Sequence, residues 1–265
     1  MIKQFNDIVV VAWDGVSKPF KHIFFDTSPV FNIIVFNYSG NNLPVKMPEN
    51  INLFGYISKK TEFKGDLMNE LCESLLQTQY DYIGIIDDDH AISVSGLNYV
   101  IRVAKGNGFD AFQPSISHDS FYSHKQFLND KSKHFEKVDW IEVMCPFLTK
   151  ELFEAGKEFY KENKSSYGLD KYLYPYLIRK LNLNGPYLIH GFPLKHTKKV
   201  TEGDKVFSNN MDARQEAEYV RKKVLFLILN EQTQFTKREM QIIYEVGVFR
   251  WQKLKYDLKR YLFSR

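Results

Sequence analysis

YIGIIDDDHAIS, residues 82–93, runs from large apolar side chains straight into Asp87, Asp88 and Asp89, followed by His90. A short apolar run bounded by polar residues reads as a buried strand. Three adjacent carboxylates repel one another and resist leaving water. Such a strand end is either solvated as a loop or neutralised by a cation. Residues two apart on a strand share a face, so if the extended geometry persists Asp87 and Asp89 point one way and Asp88 the other. Two carboxylates on one side suit Mn2+ or Mg2+, hard cations that take oxygen ligands and leave positions open for a substrate's phosphates.

Outward from this stretch, the first half of the chain alternates two patterns. DIVVVAWD (7–14) and NIIVFNYS (32–39) are apolar runs ending in polar residues, and NLFGYI (52–57) is a less regular third. Buried parallel strands have this character. GDLMNELCESLLQTQ (65–79) places Leu67, Leu71 and Leu75 at helical spacing, and VSGLNYVIRVAKGNG (94–108) is a second helix closed by glycine. The alternation predicts an α/β fold with a mostly parallel central sheet flanked by helices. Open α/β sheets bind ligands at the carboxyl ends of their strands. Asp14, Asn37, Tyr38 and Asp87–Asp89 all fall at such ends, and they are expected to share one cleft.

The second half is less regular. FDAFQPSIS (109–117) and DWIEVMCPFLTK (139–150) read as strands, and KELFEAGKEFYKEN (150–163) as one amphipathic helix. SSYGLDKYLYPYLIRKLN (165–182) reads as a turn and a helix with Pro175 near its first turn or at a kink. PYLIHGFPLKHTKKV (186–200) reads as a strand followed by a turn at Gly191–Pro193, and 197–215 as a mobile loop. From 212 the pattern is helical. Across 237–265 eight Lys or Arg oppose three acids, and Val248, Trp251, Leu254, Leu258 and Leu262 recur at spacings of three and four. Such a basic amphipathic helix lies on anionic lipid or packs on the domain or on a partner subunit. The division expected is 1–211 as a catalytic domain and 212–265 as a basic helical C-terminal extension.

Composition excludes several classes. With 44% hydrophobic and 26% charged residues the chain has the balance of a folded domain. A net charge of +4 is too small to argue for a nucleic-acid partner. Cys72 and Cys145 sit among apolar neighbours without metal spacing, as in a reducing compartment. The N-terminal apolar run is only a strand long and is interrupted by Asp14, unlike a signal peptide. A cytoplasmic protein is expected, at the inner face of the plasma membrane where the basic helix meets lipid.

The Asp-x-Asp after an apolar strand, with a later acidic turn and a late histidine, resembles GT-A fold glycosyltransferases. The blocks YDYIGIIDDDHAIS, FDAFQPSIS, VDWIEVMCPFLTKELF and SSYGLDKYL, followed by LIHGFPLKH, also resemble a family of plant and bacterial proteins labelled "lysine ketoglutarate reductase trans-splicing related". They cover roughly residues 80–196. The resemblance implies a GT-A-like, Rossmann-like fold in which Asp87 and Asp89, with His196, hold a divalent ion. That ion and Asp87–Asp88 then engage a nucleotide-diphosphate sugar. His190 is the alternative to His196. Glu142 stands out as a polar residue in an apolar strand, placed either in the cleft or on a solvated face. Asp170 resembles the acid that contacts the acceptor, and in inverting enzymes deprotonates its hydroxyl; as an acid at a helix start it also reads as an N-cap. Asp14, Asn37 and Lys64 are expected on the donor by topology.

These expectations converge on a metal-dependent glycosyltransferase using a saccharide or lipid-linked acceptor in bacterial surface polysaccharide synthesis. One rival is a sugar nucleotidyltransferase, against which the lone glycine of AWDGVSKPF argues. The other is a carbohydrate-binding or scaffold protein with a degenerate GT-A fold. No Gly-x-Ser-x-Gly nucleophile motif supports a hydrolase.

Overall fold

The computed structural model describes residues 5–231 except 50, 52 and 200–204, together with 235, 240 and 241. Almost all of the basic stretch 237–265, and the centre of the 197–215 loop, lie outside the described residues. The strands are β1 (Ile8–Trp13), β2 (Ile23–Phe24), β3 (Asn32–Asn37), β4 (Leu53–Ser58), β5 (Tyr82–Ile86), β6 (His90–Ser93), β7 (Ala111–Ile116), β8 (Phe135–Lys137), β9 (Phe147–Thr149) and β10 (Tyr187–His196). The helices are α1 (Lys64–Ser74), α2 (Val94–Asn107), α3 (Lys150–Ala155), α4 (Lys157–Tyr160), α5 (Tyr174–Lys180) and α6 (Ala213–Glu231).

The sheet runs β2-β6-β10-β7-β9-β5-β1-β3-β4, with β8 paired on β10. β4, β3, β1 and β5 are mutually parallel, as are β7 and β10, and β9 joins the two groups by antiparallel pairing to β5 and β7. Every residue of β1 is buried, because both faces are covered. Ile8, Val10 and Ala12 enter one core with Leu67, Leu71 and Val224; Val9 and Val11 enter the other with Leu97 and Ile101. The fold is therefore a three-layer α/β arrangement with α1 and α3–α6 on one face and α2 on the other.

Local chemistry explains where the structure departs from the pattern read from the chain. Of the strand expected at 139–150 only Phe147–Thr149 is extended. The preceding segment makes turns instead, with the Glu142 N–H bonded to the Gln113 side chain and Pro146 O accepting from Ile85. The single helix expected at 150–163 is divided by Gly156 into α3 and α4. No turn ends β10 at Gly191–Pro193: Gly191 adopts φ +101°, a left-handed conformation open to glycine, and forms a bulge. The strand then continues to His196, beyond the bulge pairing with β6, where His196 faces His90. That continuation brings the histidine to the carboxyl end of β5.

Candidate active site

β5 ends at Ile86, and Asp87–Asp89 form a tight turn into β6, with the His90 N–H bonded to Asp87 O. Because the strand does not persist, Asp88 is not directed away from its neighbours: all three carboxylates line one cavity of about 390 Å³, with Tyr38, Lys64 and His196. The far end of the turn is fixed by Thr197, whose N–H and Oγ1 both donate to Asp89 O, at 2.9 and 2.8 Å.

Each carboxylate has its own partner. Lys64, buried at the start of α1, donates to Asp87 Oδ1 at 2.5 Å and to Met144 O at 3.0 Å. Burial nevertheless outweighs that ion pair, and with Asp89 and Asp88 alongside it pushes the Asp87 carboxyl up to about 6. Asp88 Oδ2 accepts from the Tyr38 hydroxyl at 2.9 Å, and Lys198 approaches its other oxygen at 3.5 Å. Burial and then Asp88 raise the Tyr38 hydroxyl pKa, so Tyr38 remains a donor. Asp89 Oδ2 lies 3.3 Å from His196 Nε2. Burial alone would raise Asp89, but the His196 hydrogen bond and the charges of His196 and Lys198 hold it below the usual carboxylate range.

His196 Nδ1 faces the Phe121 carbonyl at 3.3 Å, which directs Nε2 toward Asp89. Among the described residues, ligand atoms of Asp89, His90 and His196 lie within 4.8 Å of one another. Both ring nitrogens of His90 are buried without a hydrogen-bond partner, and burial lowers its pKa to about 3, keeping it neutral. A carboxylate and two imidazoles gathered in this way fit a divalent cation.

The other expected residues separate into groups. Asp14 spends Oδ1 on the Val16 and Ser17 N–H groups and the Ser17 hydroxyl, and its charge reaches Tyr38 and Lys198. Asn37 is used internally: its Nδ2 donates to Asn41 O and Tyr56 Oη, and its Oδ1 accepts from Ser39 N and Oγ. That fills all four positions of the amide. His190 stands elsewhere, with Nδ1 accepting from Asp130 N–H and Nε2 3.3 Å from Glu136. Lys198 and Lys199 line the cavity, whereas Lys195 turns to Asp119.

Neither Glu142 nor Asp170 lines the cavity, whose lining here is Val143, Met144, Ser166 and Tyr167. Burial, then Asp170, pushes Glu142 up to about 8, and its Oε2 has no hydrogen-bond partner. Asp170 lies within a π-helical turn, Leu169–Leu173, whose N-cap is Gly168, and its Oδ1 accepts from Lys171 N–H at 2.7 Å. Burial pushes Asp170 up to about 6.

Two parts of the site escaped the sequence reading. The first is His90 as a partner of His196, for which its place directly after the triplet was the available signal. The second is the Ser165–Tyr167 wall, whose Lys164 and Ser165 N–H groups are held by the buried Glu216 carboxylate of α6, both at 2.7 Å. Nothing local in the sequence links residues so far apart.

No protein-family model and no curated protein matches the chain. Among solved structures it is similar to Staphylococcus aureus TarS residues 1–349 in complex with UDP-GlcNAc, with TM-score 0.58 and 12% identity over 92% of this chain and 71% of that one. The complex of the same fragment with UDP gives TM-score 0.57 at 12% identity, covering 92% and 70%. A longer TarS structure gives 0.53 at 12% identity; 92% of this chain is covered but only 42% of that one. The fold is accordingly that of GT-A-type glycosyltransferases.

Proposed function

We propose that this protein transfers a sugar from a nucleoside diphosphate donor to a hydroxyl-bearing acceptor. The observation that carries the proposal is the cavity at the carboxyl ends of β1 and β5, where Asp87–Asp89, His196, Lys64, Lys198 and Lys199 converge. Its volume of about 390 Å³ falls within the range of small-molecule sites. The same fold in TarS holds UDP-GlcNAc and UDP, which supports a nucleotide sugar as donor.

Lys198 and Lys199 offer charge to the diphosphate, while Lys64 holds Asp87 in place. Asp14 would meet the nucleoside from outside the described cavity lining, with Oδ1 already fixing its own loop. A divalent ion held by Asp89 and His196, with Asp87 nearby, would supply Lewis-acid neutralisation of the departing diphosphate. In an inverting reaction the acceptor proton would pass to Asp170, which burial raises to about 6 and which stands outside the described cavity lining. Glu142 stays protonated beside it and spares the pair a second negative charge. Acceptors of the saccharide or lipid-linked kind, in bacterial surface polysaccharide assembly, complete the proposal.

Calorimetric titration of UDP, GDP, CDP, UDP-GlcNAc and UDP-glucose, with and without MnCl2, tests it. Binding of one nucleotide series that strengthens with Mn2+ and weakens at least about tenfold in Asp89→Asn is expected. No nucleotide bound under any condition would overturn it and favour a scaffold.

A further inference from the structure

We propose that Asp89, His90 and His196 form a resident transition-metal centre that takes up its ion before any nucleotide arrives and discriminates against Mg2+. The proposal deepens the donor-site reading and rests on it for location, but its ligand set stands on separate observations. β6 and β10 pair antiparallel with His90 opposite His196, and their ring centroids are 4.9 Å apart. One ligand atom from each of the two histidines and from Asp89 lies within 4.8 Å of the others. His90 is 1% exposed, and neither of its ring nitrogens has a hydrogen-bond partner among the described residues. Buried polar groups are almost always satisfied, so an imidazole left bare at a strand pair asks for a ligand. Ligation answers one of its two nitrogens.

The donor set decides which ion. Mg2+ prefers oxygen, dehydrates reluctantly, and is held by one or two carboxylates plus the substrate's phosphates. Two imidazoles and one carboxylate instead suit Mn2+, Fe2+, Co2+ or Zn2+. Three protein ligands also make binding independent of the nucleotide. Asp89 and His196 line the cavity while His90 does not, so the third ligand comes from behind the cavity wall. The second shell is partly built: the Phe121 carbonyl fixes the His196 ring, and Thr197 fixes the Asp89 backbone.

The test uses the full chain, stripped with EDTA and dialysed, with no nucleotide present. CoCl2 is titrated while visible d–d absorption is recorded, then a large excess of MgCl2 is added. One equivalent of Co2+ with clear d–d bands, resistant to Mg2+, is expected, and affinity should fall at least about tenfold in His90→Gln. Paramagnetically shifted proton resonances of the Co2+ form count the histidine ligands directly, so the proposal stays testable if that variant fails to fold. Two shifted imidazole N–H signals support it; one signal, no uptake without nucleotide, or displacement by Mg2+ overturns it. Nucleotide binding that needs Mn2+, with no Co2+ uptake in the nucleotide's absence, would refute this proposal and leave the donor site standing. Co2+ uptake without binding of any nucleotide would do the reverse.

Discussion

Glu142 is 5% exposed, carries a buried oxygen without a partner, and feels the charge of Asp170. Its folded pKa of about 8 exceeds the ordinary 4.5. Folding therefore favours the protonated form, and the group lowers stability as pH rises from the unfolded value toward the folded one. Glu142→Gln keeps the shape and removes the titration. We expect the variant to gain on the order of a few kcal/mol over the wild type at pH 8.5 and almost nothing at pH 4.5. Urea midpoints at the two pH values check this, and a gap independent of pH would show that Glu142 does not titrate as a buried acid. Lys64 poses the opposite case. Lys64→Met leaves Asp87 without its cation, a loss of about 3 kcal/mol for a buried pair. Because Asp87 already titrates near 6, the defect should shrink at pH 5, where the carboxyl takes up a proton. Denaturant titrations at pH 5 and 8 decide it, the expected difference being several tenths of a kcal/mol or more. The triplet itself was legible in the sequence because charge cannot be buried unanswered. The partners Tyr38, His90 and Lys64 depended on register and turn geometry, which adjacency along the chain does not encode.

At the scale of elements, the approach of α1 and α6 to the Ser165–Tyr167 wall shapes the cavity. A Cβ on Gly65 would lie 2.2 Å from Asn163 O and 2.8 Å from Lys164, so only glycine lets α1 come this close. Gly65→Ala is expected to cost about 1–3 kcal/mol through overpacking, and to displace Lys64 beside it. Thermal melting reads the first effect and nucleotide titration the second. From the other side, Glu216 accepts the Lys164 and Ser165 N–H groups and the Asn209 amide. Glu216→Ala strands two backbone donors at a cost of about 2–4 kcal/mol. Hydrogen exchange at Lys164 and Ser165 should rise before global unfolding does; unchanged protection would show that the wall stands without α6. β1, β3 and β5 were legible because strands buried on both faces read as unbroken apolar runs. β2 and β6, at 2 and 4 residues, are too short to show a period, and β6 meets β10 only beyond the bulge in that strand. The turns before β9 arise where the Gln113 side chain captures the Glu142 N–H, a contact between distant residues.

Across the whole molecule, α6 is continuous with the body of the fold. Val220, Val224, Leu225 and Ile228 enter the same core as α1, α3 and α5. An extension beginning at 212 therefore starts as a wall of the core, and the basic stretch begins only near 237. Among the described residues no helix is long and apolar enough to cross a membrane. The segment 237–265, lying almost wholly outside the described residues, has a composition suited to a membrane surface, with Trp251, Tyr256 and Tyr261 among eight Lys or Arg. Each basic residue near an anionic surface contributes about 1 kcal/mol, so the four charges of Lys253, Lys255, Lys259 and Arg260 amount to roughly a thousandfold in partitioning. Full-length protein is expected to co-sediment with phosphatidylglycerol vesicles at low salt and to leave them as screening increases. Replacing those four residues by glutamate should abolish co-sedimentation while nucleotide affinity stays unchanged, because every described residue lining the cavity is left as it is. Co-sedimentation that survives both salt and charge reversal would remove the electrostatic attachment from the proposal, and a soluble saccharide would become the acceptor to test.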